Sequence, residues 1–153
     1  MRKDNKQKGY EYYSASLRIM NAPKKHQEIE QVLGKATHEH KKGDQRIWKG
    51  NVVKNRFWPN DVWILESPLP KHYDFNKHLS WLSKKIMPHK DFLSRLKSRK
   101  IKIDIHCSYR TGSPTGGIEI KPRFYELLSE LNISLGVSIQ FDEPLFKVFK
   151  SIK

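Results

Sequence analysis

A chain of 153 residues with 37% hydrophobic residues, four Trp, six Tyr and seven Phe has the size of one domain and is too apolar to be disordered. Thirty Lys and Arg against sixteen Asp and Glu leave a formal net charge of +14 with His neutral, which draws the chain toward nucleic acid, an acidic protein surface or anionic lipid. The apolar stretches are strand-sized, which excludes a membrane-spanning helix. Residues 1–9 lack the apolar segment of a secretory signal, and the single cysteine, Cys107, excludes an internal disulfide, so a cytosolic setting is expected.

Residues 1–9 read as a flexible basic tail. From Tyr13 the pattern alternates, with Tyr13, Ala15, Leu17 and Ile19 on one face and Ser14, Ser16 and Arg18 on the other, which is a half-buried strand. A helix follows Pro23, carries Ile29, Val32 and Leu33 inward, and ends at Gly34. Residues 36–44 read as a polar loop holding His38 and His40, with Lys42-Gly43-Asp44 as a turn that Asp44 pins to Arg46 or to a backbone amide. Residues 45–58 fit either a strand or a long loop. Residues 62–66 read as a buried strand between Pro59 and Pro68.

Phe75, Leu79, Leu82 and Ile86 recur at helical spacing, Pro88 interrupts them, and Phe92, Leu93 and Leu96 mark a second short helix. Ile101, Ile103, Ile105, Cys107 and Tyr109 alternate with Lys102, Asp104, His106, Ser108 and Arg110 in the clearest strand of the chain. The Gly-rich residues 111–117 lack the lysine and the following helix of a phosphate loop, so they read as a hairpin connection into a strand with Ile118 and Ile120 inward. Pro122 opens a helix with Phe124, Leu127, Leu128 and Leu131 inward. The last strand places Ile133, Leu135, Val137, Ile139 and Phe141 inward, with Ser134, Ser138 and Gln140 outward. Leu145, Val148, Phe149 and Ile152 then give a basic amphipathic helix over residues 143–153, expected to dock on the parent domain. The whole predicts an α+β domain over residues 10–142: a largely antiparallel sheet, helices on one face, and ferredoxin-like strand–helix–strand halves.

The strand through Ile19, the helix ending at Gly34, Lys42-Gly43-Asp44, Trp63-Ile64-Leu65-Glu66-Ser67, His78-Leu79-Ser80-Trp81-Leu82 and Gly117-Ile118-Glu119-Ile120 together resemble the bacterial domain-of-unknown-function 4279 family, from Tyr12 to Asp142. The resemblance implies no activity, cofactor or catalytic residue, because the family has none established. It does imply an association of such small proteins with toxin–immunity loci. The basic excess and the segment after Asp142 depart from the family pattern.

The expected binding residues are those that leave the helix-covered core, namely Arg18, Lys102, Asp104, His106, Arg110 and Gln140, joined by the basic cluster Arg95, Arg99 and Lys100. The ordinary meaning of such a face is water contact, and the functional one is capture of an anionic partner. None of these outward positions is aromatic, which argues against base stacking on the sheet. Cys107 faces inward, where it acts as a small hydrophobe. No catalytic, metal or cofactor motif stands out.

The expectation is therefore a non-catalytic basic protein that binds an acidic macromolecule, with an acidic protein partner first and an immunity-type blocker as its most specific form. A nucleic-acid binder acting through phosphate contacts is the second reading. A metal-assisted nuclease built on Asp104, His106, His38 and His40 is the third.

Overall fold

In the computed structural model, residues 10–48, 50–113 and 116–141 are described. The tail 1–9 and the amphipathic stretch 143–153 named above lie outside them. The elements run β1 (Glu11–Met20), α1 (His26–Leu33), β2 (His38–His40), β3 (Gln45–Trp48), β4 (Asn51–Phe57), β5 (Val62–Glu66), α2 (Phe75–Ile86), a 3-10 turn (Met87–His89), α3 (Lys90–Ser98), β6 (Lys102–Thr111), α4 (Pro122–Leu131) and β7 (Ser134–Phe141). Five strands form one sheet in the order β2-β5-β1-β6-β7, antiparallel except for the β6–β7 pair. The expected α+β class, with a largely antiparallel sheet, holds.

Period-2 alternation places Ala15, Leu17 and Ile19 of β1, Trp63 and Leu65 of β5, and Ile103, Ile105, Cys107 and Tyr109 of β6 on one face. The helices close that face with Ile29 and Leu33 of α1, Phe75, Leu79, Leu82 and Ile86 of α2, Phe92, Leu93 and Leu96 of α3, and Phe124, Leu127 and Leu131 of α4. One continuous core results, at roughly 1.5–3 kcal/mol for each fully buried large aliphatic or aromatic side chain. The helix ends follow local chemistry. Asp74 caps α2 by accepting from the Lys77 N–H, Gly34 ends α1 at φ +91°, and Pro122 opens α4. Pro88 produces the 3-10 turn between α2 and α3.

Two sequence expectations change, and one open reading, that of residues 45–58, is resolved toward strand. His38–His40 is a strand, not loop, because its backbone extends the edge of β5, a pairing that three polar side chains do not advertise. Residues 45–58 form a hairpin, β3 and β4, that hydrogen-bonds to no strand of the main sheet. Residues 117–121 form no strand. The Asn76 side chain of α2 donates to the Glu119 carbonyl at 2.9 Å and accepts from the Lys121 N–H at 3.0 Å, so these backbone groups bond to a side chain rather than to a ladder. Strand β7 therefore follows β6 by a parallel crossover through α4. It is one of the two edge strands of the described sheet, and Val137, Ile139 and Phe141, although on the core face, remain exposed among the described residues.

The hairpin is the outer half of a long β excursion from β2 to β5. Asp44 fixes its base: its carboxylate accepts from the Lys41 N–H at 2.8 Å, and its carbonyl accepts from the Trp58 N–H at 2.8 Å. The His40 and Trp58 rings stack 4.2 Å apart, and the Arg46 guanidinium lies 4.6 Å over Trp58. Of the two expected partners of Asp44, the backbone amide is the one used. No helix among the described residues is long and apolar enough to cross a membrane.

Candidate binding face

Strand register defines the face opposite the helices row by row. Tyr12, Arg110 and Gln140 form one end row, and Ser14, Ser108 and Ser138 the next. Glu66, Ser16, His106 and Gly136 follow, and then His38, Ile64, Arg18, Asp104 and Ser134. The far row holds His40, Val62, Met20 and Lys102. Arg18, Lys102, Asp104, His106, Arg110 and Gln140 thus share this face, as parity requires. Arg95, Arg99 and Lys100 do not. They sit on and just after the end of α3 in the helix layer, and Arg99 and Arg95 act on the Glu28 carboxyl of α1, which is held low first by its hydrogen bond from Lys25. The nine residues form two surfaces rather than one.

The centre of the face neutralises itself. Arg18 Nε and Nη2 donate to the two Asp104 carboxylate oxygens at 2.7 and 2.8 Å, a bidentate pair. Asp104 points outward but is buried beneath that guanidinium, with its side chain 6% exposed against 31% for Arg18. His106 stands beside them with Nε2 2.8 Å from the Ser138 hydroxyl. Burial first, and the Arg18 charge second, lower its pKa, with Asp104 opposing. The imidazole is therefore neutral at pH 7. A serine next to a histidine suggests nucleophilic chemistry, yet the carboxylate that would orient the ring is held by Arg18, so the arrangement lacks its third member.

His38 and His40 lie on β2, three strand spacings from β6, or about 14 Å. Burial, then His38, lowers the His40 pKa, while Asp44 and Glu39 oppose. The four residues named for a metal-assisted nuclease do not converge, and among the described residues no three His, Cys, Asp or Glu side chains are grouped to hold a metal ion.

Three features escaped the sequence reading. First, β1 begins two residues earlier than expected, so Tyr12 does stand on the open face. With Ser14, Lys71, Ser108, Arg110 and Gln140 it lines a cleft of about 330 Å³, and the Tyr10 ring lies 4.9 Å from that of Tyr12. Extending the alternation backwards would have found it. Second, Ile47 and Val52 oppose each other on the hairpin, 65% and 58% exposed, with Phe57 exposed nearby. Third, Ser67 and His78, eleven residues apart, meet in the core with Oγ 3.1 Å from Nδ1. Burial lowers the His78 pKa against smaller opposing effects of the Tyr73 backbone, Glu66 and Asp74. Neither residue is open to solvent, so the pair is structural.

The fold is thus a mixed sheet with one helical layer, an open polar face and a separate two-stranded hairpin. Residues 10–142 match the family described as Domain of unknown function (DUF4279), and the chain belongs to that family. No curated protein and no solved structure matches it.

Proposed function

We propose that this is a non-catalytic binding protein of the cytosol that holds an acidic macromolecule, an acidic protein in the first place, and blocks that partner by contact. The observation that carries the reading is the hairpin. Its exposed Ile47–Val52 pair is an apolar centre, and Arg46, Lys54 and Arg56 on the same two strands supply a cationic rim. Protein interfaces are built this way, with desolvated apolar anchors for affinity and charge around them for encounter rate. Isolated two-stranded sheets are marginal in water, so an exposed apolar pair on one gains by being covered. The placement in the cytosol rests on Cys107, a buried thiol without a disulfide partner.

A second reading, binding of single-stranded nucleic acid, is favoured by the Tyr12 ring beside Arg110 and Lys71. The test is capture by the full chain from host lysate, with and without nuclease and at rising salt, beside the variant Ile47→Glu with Val52→Glu. The expected result is one acidic protein retained after nuclease and at elevated salt, and lost in the variant. Recovery of nucleic acid alone, with log affinity falling steeply with log salt, overturns it.

A further inference from the structure

On the helical side of the molecule, α2 and the start of α4 border an open cleft of about 410 Å³. Lys77, Ser80, Trp81 and Lys84 line it from α2, at the spacing that puts them on one side of a helix, and Lys121, just before α4, and Arg123 in its first turn line it from the other side. Among the described residues Asp74 is the one carboxylate in the lining, and it accepts the Lys77 N–H as the cap of α2. None of the four cations belongs to an ion pair among the described residues. The Lys25–Glu28, Lys90–Glu130 and Arg18–Asp104 pairs show that cations elsewhere in the molecule do find carboxylates.

Two of the cleft cations, Lys77 and Arg123, are positioned instead by neutral groups. The Lys77 ammonium lies 4.0 Å from the Tyr73 ring centroid, and the Arg123 guanidinium lies 4.7 Å over the Phe124 ring while Nη2 donates to Ser80 Oγ at 2.7 Å. Asn76 holds the backbone of Lys121 at 3.0 Å. Rings, a hydroxyl and an amide fix geometry without cancelling charge. Four cations against the single Asp74 carboxylate leave an excess of positive charge round the concavity, which favours the entry of an anion.

We propose that this cleft binds a nucleotide, its phosphates on Arg123, Lys121, Lys84 and Lys77 and its base against the half-buried Trp81. A phosphate suits the site better than an acidic peptide for two reasons. The volume is that of a small-molecule pocket rather than of an extended groove. A guanidinium already oriented by a ring and a hydroxyl matches the paired oxygens of a phosphate, and the indole supplies an apolar wall. The phosphate can come from a free nucleotide or from the end of a nucleic-acid strand, and the chemistry is shared.

The test is calorimetric titration of the full chain with ATP, with tripolyphosphate, with a 5′-phosphorylated oligo-dT and with hexaglutamate. The variants are Arg123→Gln and Lys84→Gln in the cleft, with Lys35→Gln, at an exposed position outside the lining, as a control that removes the same charge elsewhere. Saturable one-to-one binding of ATP is expected, tighter than tripolyphosphate, weakened tenfold or more by each cleft variant and less than twofold by Lys35→Gln, with melting temperatures unchanged. Trp81→Phe should narrow the margin of ATP over tripolyphosphate. If the oligonucleotide binds more tightly than ATP with the same variant dependence, the site stands and the phosphate belongs to nucleic acid. The proposal is overturned if no phosphate compound saturates, if hexaglutamate binds as tightly as ATP, or if Lys35→Gln weakens binding as much as the cleft variants do.

Discussion

The Arg18 guanidinium spans both oxygens of Asp104 across the β1–β6 ladder, at 2.7 and 2.8 Å, with one partner a third exposed and the other nearly enclosed. That difference in exposure makes the pair asymmetric. Removing Arg18 strands a buried carboxylate, whereas removing Asp104 leaves a guanidinium that water can still reach. We therefore expect Arg18→Ala to cost about 3 kcal/mol and Asp104→Ala about 1–2 kcal/mol, the second discounted for solvent screening. Arg18→Met with Asp104→Leu together should cost less than Arg18→Ala alone. Urea denaturation of the four proteins decides it, and equal single-variant costs would refute the asymmetry.

His78 gives a pH dependence with a definite sign. Its folded pKa lies below the unfolded imidazole value of about 6.5, so below that pH the unfolded chain binds a proton the folded chain does not. Stability is full above about pH 6.5 and falls as the pH drops toward the folded pKa. His106 and His40 are shifted the same way and add to the slope. Melting temperature should fall between pH 7.5 and 5.5, and His78→Gln should flatten part of that fall. A wild-type curve flat over this range would show that these imidazoles charge freely in the fold.

Burial pushes the Cys107 thiol up to about 12. At pH 8 the folded protein should resist a thiol reagent such as a disulfide dye, because the thiolate is the reactive form and the site is closed. In denaturant the single cysteine should react fully. Rapid labelling of the folded chain would mean that β6 opens locally.

Gly116 lies against the Tyr109 ring. A Cβ built there would come within 2.8 Å of Tyr109 Cε1, and the Tyr109 hydroxyl is tied to Glu11 at 2.8 Å, so the ring cannot withdraw freely. Gly116→Ala should destabilise by about 1–3 kcal/mol, as overpacking does. Gly117→Ala, whose Cβ meets nothing within 4 Å, should be nearly neutral. Thermal melts of the two variants make the comparison.

Ile47→Glu with Val52→Glu should change stability by less than about 0.5 kcal/mol, because both side chains already face water. This matters for the binding test, since loss of partner capture can then be assigned to the surface. A large drop in melting temperature would mean that the hairpin packs on the domain.

The sequence by itself determined the parts of this protein that repeat along the chain. Alternation placed Leu17, Ile105 and Cys107 in the core and Arg18, Asp104 and His106 across from them. Helical spacing placed Leu79 and Leu127, and Gly34 and Pro122 marked helix ends, because each signal depends only on neighbouring backbone geometry. What the tertiary structure decided is what lies opposite each residue. His38–His40 became a strand through the edge of β5, and Ile118 and Ile120 lost theirs to the Asn76 side chain. Asp104 was outward, as its parity requires, yet buried, because Arg18 folds over it from a residue 86 positions away. Ser67 met His78, and Lys84 came to share a cleft with Arg123, by the same means. Pairings between distant residues leave no periodic trace in the chain, since they are selected by the packing of whole elements rather than by the residues on either side.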